Sequence, residues 1–253
     1  MKKILKRKAF TLVELIVAMA ITTILVGAAM AMFGPVSNII KSAEEDVYAN
    51  NISDVLMNYV DGKISKSTTY NIGAFDSLTG DPDTEGTVTY RLKNMLEDAK
   101  SDTSDTKCII ISKNTNGQHV LYDLGTIGNV SGSVSAGITD YNNKVNPANL
   151  KKYRVFDDNF YSDYDFRYEF ETTGTEWCRI SLVPFNGTGD DAEAITEKRS
   201  SMFKLLNISL HKISPTSSAS LTDMNDVSYS KDNSIVIIYR IKDYTTYVPP
   251  VTT

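Results

Sequence analysis

The chain opens with a long apolar segment. Ala9–Phe33 contains four polar residues, of which Glu14 alone is charged. A helix rises about 1.5 Å per residue, so a segment of this length can cross the ~30 Å apolar core of a bilayer. Five cations precede it, and cations beside a membrane-spanning helix stay in the cytoplasm. The pattern therefore predicts a spanning helix whose C-terminal side faces outward.

Beyond Phe33 the pattern becomes amphipathic. Apolar residues recur there at three- and four-residue steps, as Val36, Ile39, Ile40, Ala43, Val47, Val55, Leu56, Tyr59 and Val60. This spacing predicts that the helix continues to about Ile64 and lays one apolar face against a globular head. Gly34-Pro35 should bend the helix, because proline removes a backbone donor. The alternative is a helix break and a linker at this point.

Strand patterns dominate the remainder of the chain. Tyr164–Glu171 alternates aromatic and charged residues, which predicts a half-buried strand. Further strand patterns occupy Cys108–Ile111, Val120–Leu124, Trp177–Val183, Leu206–Leu210 and Ile235–Ile241. The first two of these should pair as a hairpin across Asn114–Gly117. The predicted fold class is α+β: a long N-terminal helical spine packed on an antiparallel β-sheet head.

Other parts of the head have weaker patterns. Val88–Lys100 predicts a strand that turns into a short helix. Segments rich in Gly, Ser, Thr, Asn and Asp predict loops, namely Lys66–Thr87, Gly125–Asn149 and Ser214–Asn233.

Glu14 distinguishes three interpretations of the N-terminus. A secretory signal peptide would be cut near Ala29-Met30-Ala31, and a plain anchor would remain attached. Neither explains a carboxylate placed five residues into an apolar helix, which costs roughly 2.5 to 3.5 kcal/mol. The carboxylate therefore requires a partner.

Lys8-Ala9-Phe10-Thr11-Leu12-Val13-Glu14 resembles the processing motif of type IV pilins and pseudopilins. The resemblance implies cleavage between Ala9 and Phe10 by a prepilin peptidase, and N-methylation of Phe10. It also implies that Glu14 pairs with the Phe10 amine of a neighbouring subunit, which makes two costly buried charges tolerable. One residue departs from the family pattern, because Ala9 stands where glycine is usual.

The resemblance of the N-terminal third and the residue pattern beyond it together predict four parts. Residues 1–9 are a basic leader, 10–34 a membrane and filament-core helix, 35–64 an amphipathic helix, and 65–253 the globular β-rich head. The subunit waits in the cytoplasmic membrane with its head outside, and then enters an extracellular filament.

The expected function is a non-enzymatic subunit of a type IV pilus-like filament. Its partners would be other pilin subunits, the prepilin peptidase, the inner assembly machinery and, before assembly, the membrane. The mature length favours a minor pilin. The alternatives are a pseudopilin of a type II-like secretion or DNA-uptake system, a membrane-anchored adhesion or sensor domain, and an exported enzyme.

Charge argues against nucleic acid as a specific partner. The chain has 26 cationic and 31 acidic residues, a net charge of −5. Removing the five leader cations leaves 21 against 31, a net charge of −10. A chain this acidic binds polyanions poorly. Lys151-Lys152-Tyr153-Arg154, the basic cluster of the head, is therefore interpreted as a surface salt-bridge site rather than a DNA contact.

The cysteines and acidic loops offer two further candidate sites. Cys108 and Cys178 can form a disulfide outside the membrane, or remain buried thiols. Asp81, Asp83 and Glu85 begin like a calcium loop, but position 12 is Leu92 instead of a bidentate glutamate. Calcium is thus the one cofactor considered, and an acidic surface turn is the alternative.

The sequence contains no recognisable enzyme motif. His119 and His211 are its two histidines, and they are not clustered with the cysteines. We expect no enzymatic activity.

Overall fold

The computed structural model describes residues 11–102, 104–128, 132–173, 177–188, 192–204 and 234–241. Its helices are α1 (Leu12–Ile64), α2 (Val88–Asp102), α3 (Val134–Val145), α4 (Pro147–Leu150) and α5 (Asp158–Tyr161), with a 3-10 turn at Lys151–Tyr153. Its strands are β1 (Thr69–Phe75), β2 (Asp105–Lys113), β3 (His119–Thr126), β4 (Tyr164–Thr173), β5 (Trp177–Asn186), β6 (Glu193–Ala194), β7 (Arg199–Lys204) and β8 (Ser234–Ile241).

The strands form two antiparallel sheets. The first has the order β1-β8-β2-β3, and in the second β5 pairs with β4 on one side and with β6 and β7 on the other. This architecture confirms the α+β prediction. The predicted hairpin is also confirmed, since β2 and β3 pair directly across a turn in which Gly117 has a φ of +82°. A left-handed φ of this kind suits glycine, because it has no Cβ.

The described residues form two compact units that divide within α1. The first unit ends at Val47 and the second, hereafter the head, begins at Tyr48. The helix runs without interruption through Pro35, so the predicted alternative of a break and a linker is wrong. The bend predicted at Gly34-Pro35 stays a prediction.

The C-terminal part of α1 supplies one side of the head core. Ala49, Ile52, Leu56, Val60 and Ile64 are all buried, and they recur at three- and four-residue steps on one face. They belong to a hydrophobic core that also includes side chains from both sheets. The prediction that the amphipathic part of the helix packs on the head is confirmed.

Polar contacts connect this part of α1 to each sheet. The Tyr59 hydroxyl donates to Asp123 of β3 at 2.6 Å. Asp54 forms an ion pair with Arg199 of β7 at 2.9 Å. Because the two strands lie in different sheets, these contacts and the core residues together fix the position of both sheets on one helix.

Two elements of the head differ from the sequence prediction. Thr69–Phe75 lies within the predicted Lys66–Thr87 loop, but it forms strand β1 because it pairs along its whole length with β8. The Val88–Lys100 segment is helical throughout, so the predicted initial strand is wrong. Its β-branched start is outweighed by a core-facing series at helical spacing, Val88, Leu92, Met95, Leu96 and Ala99.

The glycine-rich Gly125–Asn149 segment also differs, because it contains helices α3 and α4. Gly137 of α3 explains the difference, since a Cβ there would lie 2.7 Å from Leu96 of α2. Glycine at this position therefore permits close helix packing rather than a loop. The predicted Leu206–Leu210 strand and Ser214–Asn233 loop lie outside the described residues.

A buried polar cluster joins the two sheets. Asp165 of β4 accepts hydrogen bonds at 2.8 Å from the backbone N–H and from Nδ1 of His119 on β3. It also accepts from Nε of Arg167 at 3.2 Å, and all three residues are at least 90% buried. Asp165 and Arg167 belong to the charged face that the sequence pattern assigned to solvent. That face of β4 is therefore covered at this end.

Burial opposes ionisation of Asp165, but hydrogen bonds from His119 and Arg167 outweigh it and hold the pKa of this carboxyl below its ordinary value. The pKa of the Asp123 carboxyl is lowered in the same way. Burial would raise its pKa, but hydrogen bonds from Tyr59, Lys63 and the Gly125 backbone lower it. Both carboxylates are thus favoured in their charged form by the folded head.

Truncating the core face of α1 should destabilise the head. Leu56→Ala removes a fully buried side chain and should lower the free energy of unfolding by about 3 kcal/mol, through lost transfer energy and a cavity. The measurement is urea unfolding of the detergent-solubilised full chain, followed by tryptophan fluorescence. The matched control is Val55→Ala, because the Val55 side chain is 44% exposed. This substitution should change the free energy of unfolding by less than about 1 kcal/mol. Equal effects of the two variants would contradict this packing.

Acid should weaken the head through its buried carboxylates. Each of these carboxyl groups has a lower pKa in the folded chain than in the unfolded chain, where the pKa is near 4. Such a group stabilises the folded head at a pH above its unfolded pKa. This stability is lost as the pH falls through the folded pKa. Asp165→Asn should cost about 3 kcal/mol at pH 7, because Arg167 loses a buried counter-charge, and it should flatten the acid dependence.

The control for this substitution is Glu171→Gln on the same strand. Glu171 forms a half-exposed ion pair with Arg179 at 2.7 Å, so its loss should cost at most about 1 kcal/mol. Unfolding curves between pH 3 and pH 7 compare the two variants. An Asp165→Asn protein as stable as the wild type at pH 7 would show that the cluster contributes little.

Candidate functional site

The N-terminal part of α1 is apolar on all sides. Its large hydrophobic side chains lie on the surface, from Leu12 at 76% exposed to Phe33 at 71% exposed. Of the described helices, α1 is the one long and apolar enough to cross a membrane. A continuous apolar surface of this size marks a membrane or protein contact.

Glu14 lies in the first turn of this helix and forms a capping box with Thr11. Glu14 Oε2 accepts from the backbone N–H of Thr11 at 3.0 Å and from its hydroxyl at 3.1 Å. The Glu14 N–H donates to Thr11 Oγ1 at 3.2 Å. This reciprocal arrangement satisfies N–H groups that a helix start otherwise leaves unpaired. The sequence prediction did not assign a capping role to Thr11, although the spacing Thr-x-x-Glu before an apolar run is the signature of a capping box.

The other polar side chains of the apolar segment are satisfied within the helix. The hydroxyls of Thr22 and Thr23 donate to the carbonyls of Ala18 and Met19 at 2.7 and 2.8 Å. Back-bonding of this kind lets a hydroxyl lie in an apolar environment. Glu14 differs, because its hydrogen bonds leave a net negative charge that a bilayer or a helix bundle would have to accommodate.

The predicted cleavage residues lie outside the described residues. This applies to both Ala9 and Phe10, so cleavage between them, methylation of Phe10 and its pairing with Glu14 stay predictions.

The prokaryotic N-terminal methylation motif matches residues 4–30. These residues carry the type IV pilin and pseudopilin signal. The predicted resemblance is thereby confirmed for the N-terminal segment. This motif supports a pilin-like or pseudopilin subunit. The α+β architecture is consistent with such a subunit. No curated protein and no solved structure matches the chain.

The pilin signal ends within α1, before the head begins at Tyr48. Pilin-type assembly implies contact with other pilin subunits and with the prepilin peptidase. The motif together with the apolar helix suggests membrane anchoring and a surface filament.

The disulfide candidate is corrected by the structure. Cys108 and Cys178 are both free, buried thiols. They lie on β2 and β5, which belong to different sheets. Burial raises the pKa of each thiol, to about 12 for Cys178, so neither is a ready nucleophile. The buried-thiol alternative is the one observed.

The calcium candidate stays a prediction, and the structure gives the surroundings of its carboxylates. Asp81 accepts the backbone N–H of Asp83 at 2.9 Å, and the Asp83 carboxylate pairs with Lys93 at 2.6 Å. The turn is therefore held by its own hydrogen bond and by a lysine. Across the part of the chain that the structure describes, no three His, Cys, Asp or Glu side chains form a group that could hold a metal ion.

The basic cluster lies in the head and is partly neutralised. Arg154 pairs with Asp158 at 2.5 Å, as expected of a surface salt-bridge site. Lys152 donates to the Asn149 amide oxygen at 3.2 Å. His119 is buried in the inter-sheet cluster, and His211 lies outside the described residues.

Proposed function

We propose that this protein is a non-enzymatic minor pilin, processed by a prepilin peptidase and assembled into a type IV pilus-like filament through α1. The observation that carries the proposal is the methylation motif over residues 4–30, with Glu14 as the one charge of the apolar helix. The size of the head favours a minor rather than a main structural subunit.

Processing would create the partner that Glu14 lacks. Cleavage before Phe10 releases an amine at the start of the helix, next to the capping box formed by Thr11 and Glu14. When the helices of two subunits pack, the amine of one copy can pair with the carboxylate of the other. Two charges that are each expensive in an apolar bundle then stabilise a single register between the helices.

The rest of the chain supports a structural role. The exposed apolar side chains of the first unit offer the contact area for neighbouring helices, and we propose that the subunit first spans the cytoplasmic membrane with its head outside. The remaining partner is the inner assembly machinery, with no specific nucleic acid. No motif in the sequence points to a chemical reaction, so we propose no enzymatic activity and no cofactor.

A pseudopilin of a secretion or DNA-uptake system is the second candidate, because the same motif directs its processing. It would use the same cleavage and the same pairing. An anchored adhesion or sensor domain would leave both the motif and Glu14 unused.

The mature N-terminus is the first test. Intact-mass and N-terminal sequencing of the protein from its native cell should give a chain that begins with N-methylated Phe10. A chain that retains its leader would indicate a plain anchor, and a chain trimmed after the apolar segment would indicate a signal peptide. Either result would overturn the proposal.

Substitutions at Glu14 separate its charge from its hydrogen bonds. Glutamine also serves in a capping box, so Glu14→Gln keeps the cap and removes the charge. We expect Glu14→Gln and Glu14→Ala to insert in the membrane normally but to lower the filament fraction at least about tenfold, because the neighbouring amine stays buried and unpaired. Electron microscopy and immunoblots of sheared filaments measure that fraction.

Thr11→Ala is the matched control for the cap. It removes the hydroxyl partner of Glu14 and keeps the charge, so assembly should fall much less than in Glu14→Gln. The ion-pair mechanism is wrong if Glu14→Gln assembles like the wild type while Thr11→Ala does not.

A further inference from the structure

An open groove lies on the surface of the head beside the outer strand β3. It is lined by Tyr59 of α1, by Asp123, Leu124 and Gly125 of β3, and by Lys152–Val155. Its volume is about 460 Å³, within the range of about 300 to 1,000 Å³ that is typical of small-molecule sites. All of these residues belong to the head, so one copy of the chain forms the groove alone.

A β-bulge shapes the part of β3 that lines the groove. Gly125 pairs with Cys108 of β2. The next residue of β2, Ile109, pairs with Asp123, so Leu124 is an extra residue on β3. Gly125 has a φ of +65°, and a Cβ at this position would meet no atom within 4 Å. The strand is therefore open to the groove at its bulge, and bulges are over-represented next to active sites.

Asp123 can accept one more hydrogen bond from a molecule in the groove. Its Oδ2 accepts from the Tyr59 hydroxyl at 2.6 Å and pairs with Lys63 at 3.0 Å. Its Oδ1 accepts from the Gly125 N–H at 2.9 Å. An ionised carboxylate has about four lone-pair positions, so one of them is left at Oδ1. The side chain is 15% exposed, which brings the carboxylate within reach of a ligand.

Lys152 and Tyr153 add hydrogen-bond donors to the groove. Lys152 is exposed and donates to the Asn149 amide oxygen at 3.2 Å, which leaves two of its three N–H groups for a ligand. Tyr153 is half-buried, so part of its ring forms an apolar contact surface, and its hydroxyl can donate or accept.

The charges that line the groove leave one cation unbalanced. Asp123 pairs with Lys63, and Arg154 pairs with Asp158. Lys152 has no ion-pair partner among the described residues. The groove therefore suits a ligand that offers a hydroxyl to the carboxylate and a negative charge to the lysine.

We propose that this groove binds a hexuronic acid unit of a saccharide. The Asp123 carboxylate accepts a hydrogen bond from a sugar hydroxyl, and the Lys152 ammonium pairs with the sugar carboxylate. The C–H groups of the sugar ring pack on the exposed part of the Tyr153 ring. The site requires a single head, so the inference does not depend on the proposed filament.

The lining residues favour a saccharide over a phosphate polymer or a peptide strand. Phosphate oxygens only accept hydrogen bonds from this site, so Asp123 would repel them, and a polyanion requires several free cations. A peptide strand would need the outer edge of β3. That edge is already occupied beside the groove, since Tyr122 bridges Arg154 and the Val155 N–H donates to the Leu121 carbonyl at 3.0 Å.

The test compares an acidic and a neutral trisaccharide by isothermal titration calorimetry with the detergent-solubilised full-length protein. Linear trigalacturonate carries the carboxylates, and maltotriose has three neutral rings. We expect trigalacturonate to bind with a Kd of about 1 mM or below. Maltotriose should bind at least about threefold more weakly, because it has no charge to pair with Lys152.

Two substitutions separate the ring contact from the charge contact. Tyr153→Ala should weaken the binding of both sugars at least about tenfold, because it removes the apolar surface and a hydroxyl. Lys152→Gln should lower the affinity for trigalacturonate to that for maltotriose and change the affinity for maltotriose less than about twofold. Tyr90→Ala is the matched control, since Tyr90 is a half-buried tyrosine of α2 outside the groove, and both affinities should stay unchanged. Thermal unfolding of each variant checks that the head remains folded.

Three results would overturn the inference. The first is the absence of any binding heat with trigalacturonate at about 10 mM. The second is equal binding of trigalacturonate by the Tyr153→Ala and Tyr90→Ala proteins. The third is tighter binding of an oligothymidylate than of trigalacturonate, which would assign the groove to nucleic acid. None of these measurements involves assembly, so each result leaves the proposed filament function intact.

Discussion

The structure depends on one helix meeting two different environments. The first part of α1 is apolar all round, and its hydroxyl groups are satisfied by carbonyls one turn earlier. The second part is apolar on one face only, where it closes the core of the head. Hydrogen bonding within the helix satisfies the backbone groups along its middle except around Pro35, which has no N–H to donate. An element of this kind can serve both in lipid and against a folded domain. The charge on Glu14 is what the helix cannot satisfy by itself.

Packing and hydrogen bonds connect the elements of the head, and both of its cysteines are free thiols. Two antiparallel sheets share a core with α1. The sheets are also joined by a buried polar cluster, in which Asp165 contacts His119 and Arg167. Such a cluster is strong only when it is complete, because each member removed leaves a buried partner exposed to a low dielectric. Free cysteines on separate sheets agree with this arrangement, since packing rather than oxidation holds the sheets together.

Much of this architecture was predictable from periodicity. The helix, the β2–β3 hairpin and strands β4, β5 and β8 have strong local patterns, and the structure confirms them. β1 was missed because its pattern is weak and its pairing partner, β8, is distant in sequence. The sequence does not predict α3, because glycine at position 137 favours a loop and its close packing against Leu96 is a tertiary contact. Burial of Asp165 could not be predicted either, because alternation along β4 defines two faces without saying what covers each one.

The N-terminal site shows the same limit. The charge of Glu14 in an apolar run was evident from the sequence, and so was its match to a processing motif. Its capping partner Thr11 was equally visible as a spacing, but only the described geometry shows that the carboxylate is already hydrogen-bonded in a single chain. A carboxylate held in this way has already lost side-chain entropy, so the pairing proposed for it would cost less.

The position of β8 affects the order in which the head can form. This strand lies between β1 and β2, and Thr69 meets Arg240 across 171 positions of sequence. Contacts between such distant residues form slowly, and here the first sheet lacks an inner strand until Ser234–Ile241 has been synthesised and has entered it. Chaperones and proteases would therefore encounter an unfinished sheet until this strand is in place, and chains truncated before it would stay in that state.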